Sequence, residues 1–180
     1  MDAGPIYGAA LSSGEGAGHT LMISPSVEPA GTVDGFTYLK EVSMSEQMIP
    51  ADQVSSTKIK EIFDNAFMDT ALTDDGDVRV TEGGIKIFVS VDTAKQLARY
   101  LMLFGYKRGA STKDQLELAN ELNKNIVFMR AWTFGNGIAF DYALPYDGGL
   151  PPKQVVSAYR WLRKTALGGV QKYDRKNIVA

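Results

Sequence analysis

The chain has 180 residues, no cysteine and a single histidine, with a formal net charge of −2 at pH 7 and a pI of about 5.4. Hydrophobic residues make up 44% and charged residues 22%, which is typical of one globular domain with room for an appended segment. The lack of cysteine excludes disulfides, thiolate nucleophiles and cysteine-ligated metals, and the acidic balance lacks the basic footprint of a nucleic-acid-binding protein.

Residues 1–52 are rich in glycine, serine and proline, a composition that interrupts secondary structure. We predict an N-terminal arm over residues 1–52, with a short strand at residues 36–39, followed by an α+β domain over residues 53–180. No apolar run reaches the roughly 18 residues of a membrane span, and the first residues do not resemble a secretory signal. We therefore expect a cytoplasmic protein, or an exported one if a leader was removed.

The first predicted helix follows the arm. Its start is capped by Ser55 or Ser56, whose hydroxyl can accept a bond from a free backbone N–H. The apolar residues with helical spacing are Ile59, Ile62, Phe63, Ala66 and Phe67.

Short strands come next. Residues 68–73 and 77–81 are predicted to pair as a hairpin around a type I′ turn at Asp75 and Gly76. Alternating apolar residues over 85–91 predict a third strand. The continuous apolar run 97–106 fits a strand or a helix, and we predict a strand.

A second helix is predicted from Ser111 or Thr112, because Thr112 and Gln115 have capping-box spacing. Its expected apolar side contains Leu116, Ala119 and Leu122.

A second hairpin and a last helix complete the domain. Residues 126–134 and 138–144 flank Asn136-Gly137, a strong hairpin-turn signal. Two prolines at 151 and 152 suit the first turn of a helix, and Gly168-Gly169 is predicted to end it. Its apolar stripe contains Val155, Tyr159, Leu162 and Ala166. This order of elements predicts an α+β fold with helices packed on one face of an antiparallel sheet.

The sequence contains no recognisable catalytic constellation. His19 lies in the predicted arm, where a solvated role is expected. Asp74, Asp75 and Asp77 surround a glycine, but their spacing does not fit a calcium loop. We expect no cofactor and no metal, although two carboxylates brought together by the fold would be invisible in sequence.

The second hairpin carries the predicted binding site. A two-residue turn at Asn136-Gly137 places Trp132 opposite Asp141, and strand alternation then separates a charged side from an apolar side. The inward side chains are expected to be Val127, Met129, Phe140, Tyr142 and Leu144. The outward, protein-binding residues are expected to be Phe128, Arg130, Trp132, Phe134 and Asp141. In the alternative interpretation, another element of the chain, such as the N-terminal arm, covers these residues within the fold. A three-residue loop would exchange the two faces.

Two short motifs resemble a known family. The motifs are Asn120-Glu121-Leu122-Asn123 and Gly148-Gly149-Leu150-Pro151-Pro152. Together with the element order over residues 55–169 they resemble the YbjN-like family, described as putative bacterial sensory-transduction regulators. Members commonly have Trp where this chain has Leu122.

The resemblance implies a fold similar to type III secretion chaperones, with helices on a twisted antiparallel sheet and frequent dimerisation. It implies no catalytic residues and no cofactor. We accordingly expect a non-enzymatic, chaperone-like or regulatory protein-binding domain of bacterial type, with an unknown client or a homodimer as partner and no nucleic acid. The alternatives are a hydrolase using carboxylates in a sheet cleft and a structural part of an envelope or secretion assembly.

Overall fold

The computed structural model describes residues 48–180, which form three α-helices and six β-strands. The helices are α1 (Ser56–Asn65), α2 (Thr112–Asn125) and α3 (Pro152–Tyr173). The strands are β1 (Asp69–Leu72), β2 (Val78–Glu82), β3 (Ile85–Asp92), β4 (Leu97–Gly105), β5 (Arg130–Phe134) and β6 (Gly137–Pro145). His19 and the predicted strand at 36–39 lie outside the described residues. The predicted boundary at residue 52 stays a prediction.

The six strands form one antiparallel sheet in the order β1-β2-β3-β4-β6-β5. The predicted α+β class is therefore confirmed. The ambiguous run at 97–106 is a strand, as predicted, and β4 lies inside the sheet between β3 and β6. Its burial follows a period of two, with Ala98, Tyr100 and Met102 fully buried.

All three helices pack against the same side of the sheet, which we call the inner face. α1 contacts β1, β2 and β3, α3 contacts β4 and β6, and α2 contacts β5 and α3. Burying each large apolar side chain in this layer contributes about 1.5–3 kcal/mol. The largest fully buried side chains include Tyr100, Tyr146, Tyr159, Phe63, Phe140, Met102 and Leu122. The Tyr100 hydroxyl donates to the Val155 carbonyl oxygen at 3.1 Å, which ties β4 to α3.

Helix α1 begins as predicted and ends earlier than predicted. The Ser55 hydroxyl accepts a bond from the Lys58 N–H, which confirms the cap. Phe67, expected on the apolar stripe, is 99% exposed and has a φ of 58°. The Phe67 N–H bonds to the Asp64 carbonyl and the Met68 N–H to the Phe63 carbonyl, a pattern that closes a helix through a left-handed residue. The inclusion of Phe67 was therefore wrong.

The first hairpin forms with a different turn. Leu72 pairs with Val78, and the Gly76 N–H donates to the Thr73 carbonyl. Gly76 has a φ of 82°, whereas Asp75 is not among the described residues with positive φ. A type I′ turn needs positive φ at both central residues, so that turn prediction was wrong.

Helix α2 uses Ser111 as its cap, with the Ser111 hydroxyl accepting from the Asp114 N–H. Gln115 does not complete a capping box, because its amide donates to the Ala110 carbonyl. Leu116, which was predicted to lie on the apolar side of the helix, is exposed. Leu118 is buried in its place, beside Ala119 and Leu122. The stripe was therefore misplaced by half a turn at its start.

Helix α3 continues through the two glycines that were predicted to end it. A side-chain carbon at Gly169 would lie 2.7 Å from Ile126 Cδ1 and 2.9 Å from Leu122 Cδ2, whereas Gly168 faces open space. Gly169 thus allows α3 to approach α2 closely, and packing outweighs its poor helix propensity. The predicted stripe Val155, Tyr159, Leu162 and Ala166 is fully buried, as expected.

Candidate protein-binding surface

The β5–β6 hairpin forms with its turn one residue earlier than predicted. Phe134 pairs with Gly137, so the turn residues are Gly135 and Asn136, and Trp132 lies opposite Ala139 instead of Asp141. The pairing differs from the prediction by two residues, an even number. Because side chains alternate with a period of two, the division of the hairpin into two faces is unchanged.

Most residues predicted to point at the helices do so. Met129, Phe140 and Leu144 are buried, and the Tyr142 ring packs 5.3 Å from that of Trp161 on α3. Val127 is largely exposed, so its inward placement was wrong. It precedes β5 and is not held by the alternation of the strand.

The opposite side of the sheet, which we call the outer face, carries exposed apolar side chains. Trp132 is 43% exposed and Phe134 is 36% exposed. In register, Trp132, Ala139 and Leu103 form one row across β5, β6 and β4, and Leu103 is also exposed. We call Trp132, Phe134 and Leu103, together with the fully buried Ala139 that lies between Trp132 and Leu103, the outer patch. No described helix packs on it, since the helices lie on the inner face.

The two aromatic rings of the outer patch support each other. Their centroids are 5.9 Å apart with an interplanar angle of 62°, an edge-to-face arrangement. The Phe134 ring lies directly over Gly137, because a side-chain carbon there would be 2.8 Å from Phe134 Cζ. The same carbon would lie 2.5 Å from the Phe104 backbone oxygen, so a larger residue at 137 would disturb both β4 and the ring.

Charged residues border the outer patch. Arg130 pairs directly across the strands with Asp141, and its guanidinium donates to both carboxylate oxygens, with Nε at 3.0 Å from Oδ1. This contact raises the pKa of Arg130. Arg99 on β4 lies 3.8 Å from Asp141 Oδ2. Asp141 is the buried charged residue of the described region, so two arginines share one shielded carboxylate.

Phe128 does not join the other predicted site residues. It precedes β5, has a φ of 62° and is 81% exposed. The left-handed backbone turns it out of the strand alternation, and it lines a groove on the inner face. The structure thus brings together Arg130, Trp132, Phe134 and Asp141 on the outer face and separates Phe128 from them.

The groove lies between β6 and the first half of α3 and has a volume of about 510 Å³. It is lined by Phe128, Tyr142, Leu144, Gln154, Ser157, Ala158 and Trp161. No expectation from the sequence included this groove. Its one signal was Trp161, an aromatic residue off the buried stripe of α3, together with Gln154, Ser157 and Ala158 at helical spacing from it.

The motif residue Asn123 has a clear structural role. Its side-chain amide donates to the Ala131 carbonyl at 2.8 Å, and its oxygen accepts from the Ala131 N–H at 2.8 Å. Asn123 therefore satisfies the backbone N–H and C=O of Ala131 on the outer edge of β5, which is the last strand of the sheet. Leu122, beside it in the motif, is fully buried.

Two neighbouring carboxylates of the described region, Asp114 and Glu117, form ion pairs with a lysine. Lys176 contacts both Asp114 and Glu117, the latter at 2.8 Å, and these hydrogen bonds lower the pKa of both carboxyls. A general acid needs a raised pKa. Asp77 has a raised pKa through burial, but it lies in the first hairpin turn.

Residues 48–180 contain no group of three or more His, Cys, Asp or Glu side chains that could hold a metal ion. None of their helices combines the length and apolar character needed to cross a membrane.

Comparison with known proteins adds one family and two structures. The sequence model of the YbjN family, described as “Putative bacterial sensory transduction regulator”, matches residues 55–167. No curated protein sequence matches the chain. The crystal structure of YbjN, described as a putative transcription regulator from E. coli, matches with a TM-score of 0.57 and 8% identity, covering 69% of this chain and 94% of YbjN. A chain of the HopA1–SchA chaperone–effector complex matches with a TM-score of 0.43 and 14% identity, covering 60% of this chain and 89% of that one.

Proposed function

Because this chain belongs to the YbjN family, we propose that it is a non-catalytic, regulatory or chaperone-like protein that acts by binding another protein. The contact surface is the outer patch, with Arg130 and Asp141 at its border. The observation that carries this proposal is the pair of adjacent aromatic rings, Trp132 and Phe134, exposed on the sheet face opposite the helices.

The outer patch has the chemistry of a protein contact. Exposing neighbouring apolar side chains to water is unfavourable, so such groups of side chains commonly mark interaction sites. Tryptophan, phenylalanine and arginine are enriched where proteins meet. The edge-to-face packing of Trp132 on Phe134 also holds both rings in place, so less rotamer freedom is lost on binding.

The charged residues at the border of the outer patch should orient a partner protein more than they add to its binding affinity. Asp141 is shielded and already bonded to Arg130, whereas the Arg130 side chain is largely exposed. Exposed charges at the rim of an interface contribute mainly to encounter rate and to the choice of partner. We therefore expect the aromatic pair to supply most of the binding energy.

A regulatory role through protein contact fits the chain better than direct reading of nucleic acid. The structurally similar E. coli protein is described as a putative transcription regulator. The net charge of −2 gives no electrostatic footprint for phosphate backbones. We propose that regulation, if shared, proceeds through a protein partner, either a client or a second copy of this chain.

A matched pair of variants tests the proposal. Trp132→Ala removes the centre of the outer patch, and Phe67→Ala removes an aromatic residue that is 99% exposed elsewhere. The tagged wild type and both variants are compared in pull-downs from a bacterial lysate and by sedimentation equilibrium. Truncating a tryptophan at an interface centre commonly costs about 2 kcal/mol or more.

We expect Trp132→Ala to lose the specific partner, or the self-association, by about thirtyfold, while Phe67→Ala behaves as the wild type. Thermal melts of both variants should stay close to the wild type. An unchanged set of partners and an unchanged oligomeric state in Trp132→Ala would show that the outer patch is not the contact surface. A collapsed melt would show that Trp132 serves the core.

A further inference from the structure

Strand β6 has an edge that its neighbour leaves open. β5 pairs with β6 only as far as Arg130 opposite Asp141, whereas β6 continues to Pro145. The next residues toward the N-terminus of β5 leave the strand, since Phe128 has a φ of 62°. Within residues 48–180, no strand pairs with residues 143–145 on this side. We call residues 143–145 the free edge.

The backbone groups of Ala143 point toward this free edge. The Tyr106 N–H bonds to the Asn136 carbonyl, and the Tyr146 N–H to the Gln96 carbonyl. In the antiparallel ladder between β4 and β6, even-numbered residues of β6 therefore bond to β4. Odd-numbered residues, including Ala143, turn their N–H and C=O to the side that β5 occupies further along.

The contrast with β5 is informative. The outer edge of β5 is closed by the side chain of Asn123, which bonds to both backbone groups of Ala131. Proteins commonly block exposed edges in this way, because an open edge is a template for another strand. The free edge of β6 has no such block from the described part of the chain, and Ala143 is exposed.

An apolar groove lies beside the free edge. The side chains of Tyr142 and Leu144 alternate with Ala143 and form the floor, and Trp161 of α3 forms the opposite wall. Phe128, 81% exposed, borders the same groove. A strand added to β6 would direct every second side chain into this groove.

Basic residues surround the site on both sides. No acidic residue is among those that line the groove. Arg160 is three residues after Ser157 and Lys164 three after Trp161, so both lie next to groove-lining residues on α3. Neither forms an ion pair with a described residue. On the outer face, Arg99 is in register with Ala143 and shares the single carboxylate of Asp141 with Arg130.

We propose that the free edge and the groove bind an extended peptide segment of a partner protein, in which apolar and acidic residues alternate. The segment adds a strand to β6 through Ala143, its apolar side chains enter the groove, and its carboxylates meet the surrounding basic residues. This site shares Arg99 and Arg130 with the border of the outer patch but contains neither Trp132 nor Phe134, so variants can distinguish the two surfaces.

The test uses a defined probe. A fluorescein-labelled eight-residue peptide with alternating glutamate and apolar residues, and phenylalanine at a central apolar position, is titrated with the full chain by fluorescence anisotropy. A second peptide has lysine in place of every glutamate. We expect saturable binding of the glutamate peptide and at least tenfold weaker binding of the lysine peptide.

Variants of the chain locate the probe. Ala143→Pro removes an N–H that points away from β4, so the hydrogen bonds between β4 and β6 are kept, and Ala143→Ser is its matched control. We expect a loss of at least tenfold in affinity for Ala143→Pro and less than twofold for Ala143→Ser. Phe128→Ala, at an exposed position, should weaken binding about fivefold and keeps the test valid if Ala143→Pro does not fold.

Charge and location are checked in the same titration. Arg160→Glu combined with Lys164→Glu should weaken the glutamate peptide several-fold, whereas Lys86→Glu on the outer face should not. No saturable binding, equal binding of both peptides, or equal losses in Ala143→Pro and Ala143→Ser would overturn the proposal. Loss of the peptide in Trp132→Ala with no effect of Ala143→Pro or Phe128→Ala would place it on the outer patch instead and also overturn it.

Discussion

The two faces of the six-stranded sheet are built by the same strands and differ in their surroundings. On the inner face, Tyr100, Met102 and Phe140 are fully buried under the helices. On the outer face, Leu103, which follows Met102 in β4, and Trp132, which pairs with Ala139 next to Phe140, remain exposed. Because side chains alternate along a strand, one residue can stabilise the core while the next is available to contact another protein.

This comparison gives the two faces distinct sensitivities. Substitutions on the inner face should lower the free energy of unfolding, and they should affect association only through the fraction of protein that stays folded. Substitutions on the outer face should leave the fold intact and change association.

The largest effect is expected from Phe140→Ala on the inner face. Phe140 is fully buried and packs edge-to-face on Phe104 at 5.8 Å, so truncation leaves a cavity in the core. We expect a loss of about 3–5 kcal/mol in the free energy of unfolding, measured by urea denaturation. The control is Leu103→Ala in the neighbouring strand, which should cost about 1 kcal/mol or less because Leu103 is already partly hydrated. Equal losses would contradict the division into two faces.

The second effect concerns the helical layer above the inner face. Gly169→Leu places a side chain where Ile126 and Leu122 already lie, and overpacking of this kind costs about 1–3 kcal/mol. Gly168→Ala, one residue earlier, meets no neighbour and should stabilise α3 by about 0.5–1 kcal/mol through helix propensity. Thermal melts of the two variants should therefore shift in opposite directions. Shifts of the same sign would show that the close approach of α2 and α3 is unimportant.

Sequence patterns predicted the parts of the fold that depend on local periodicity. The alternation in β3 and the helical spacing in α3 identified the inner face, because burial repeats with the same period as the backbone. The hairpin turn was misplaced by one residue, yet Trp132 and Phe134 were still assigned to the outer face. That assignment survived because the register error was even.

The errors arise where structure does not follow the local periodicity of the sequence. Phe67 and Phe128 both adopt positive φ, where the chain leaves its element and apolar residues become exposed. Gly169 was interpreted as a helix end because its benefit comes from α2, which is distant in sequence. The groove joins β6 to α3, so helical spacing on α3 indicates only one of its two walls. The free edge depends on where β5 begins, which no periodic pattern marks.

A third, smaller effect is expected among the charges of the outer face. Arg130 makes two hydrogen bonds to Asp141, whereas Arg99 only approaches it at 3.8 Å. We expect Arg130→Met to cost about 1–2 kcal/mol in unfolding free energy, because the buried Asp141 carboxylate loses two hydrogen bonds, and Arg99→Met to cost less than half of that. Urea unfolding at low and high salt checks this, since the loss in Arg130→Met should shrink as salt rises. A larger loss in Arg99→Met would contradict the assignment.

The smallest effect is a pH dependence away from both faces. Hydrogen bonds from Lys176 lower the pKa of Asp114 and of Glu117, so their stabilisation is fully present above the unfolded-state pKa of about 4. It is lost as the pH falls through the lowered folded-state values. The same contacts raise the pKa of Lys176, so its share is lost only as the pH rises beyond the ordinary lysine range.

Lys176→Met should therefore be less stable than the wild type at pH 7 and nearly equal to it well below pH 4. Lys124→Met, which removes a lysine 3.8 Å from Glu121, is the matched control and should show a weaker dependence. A difference between Lys176→Met and the wild type that is constant from neutral to acidic pH would show that Lys176 acts through packing and not through charge.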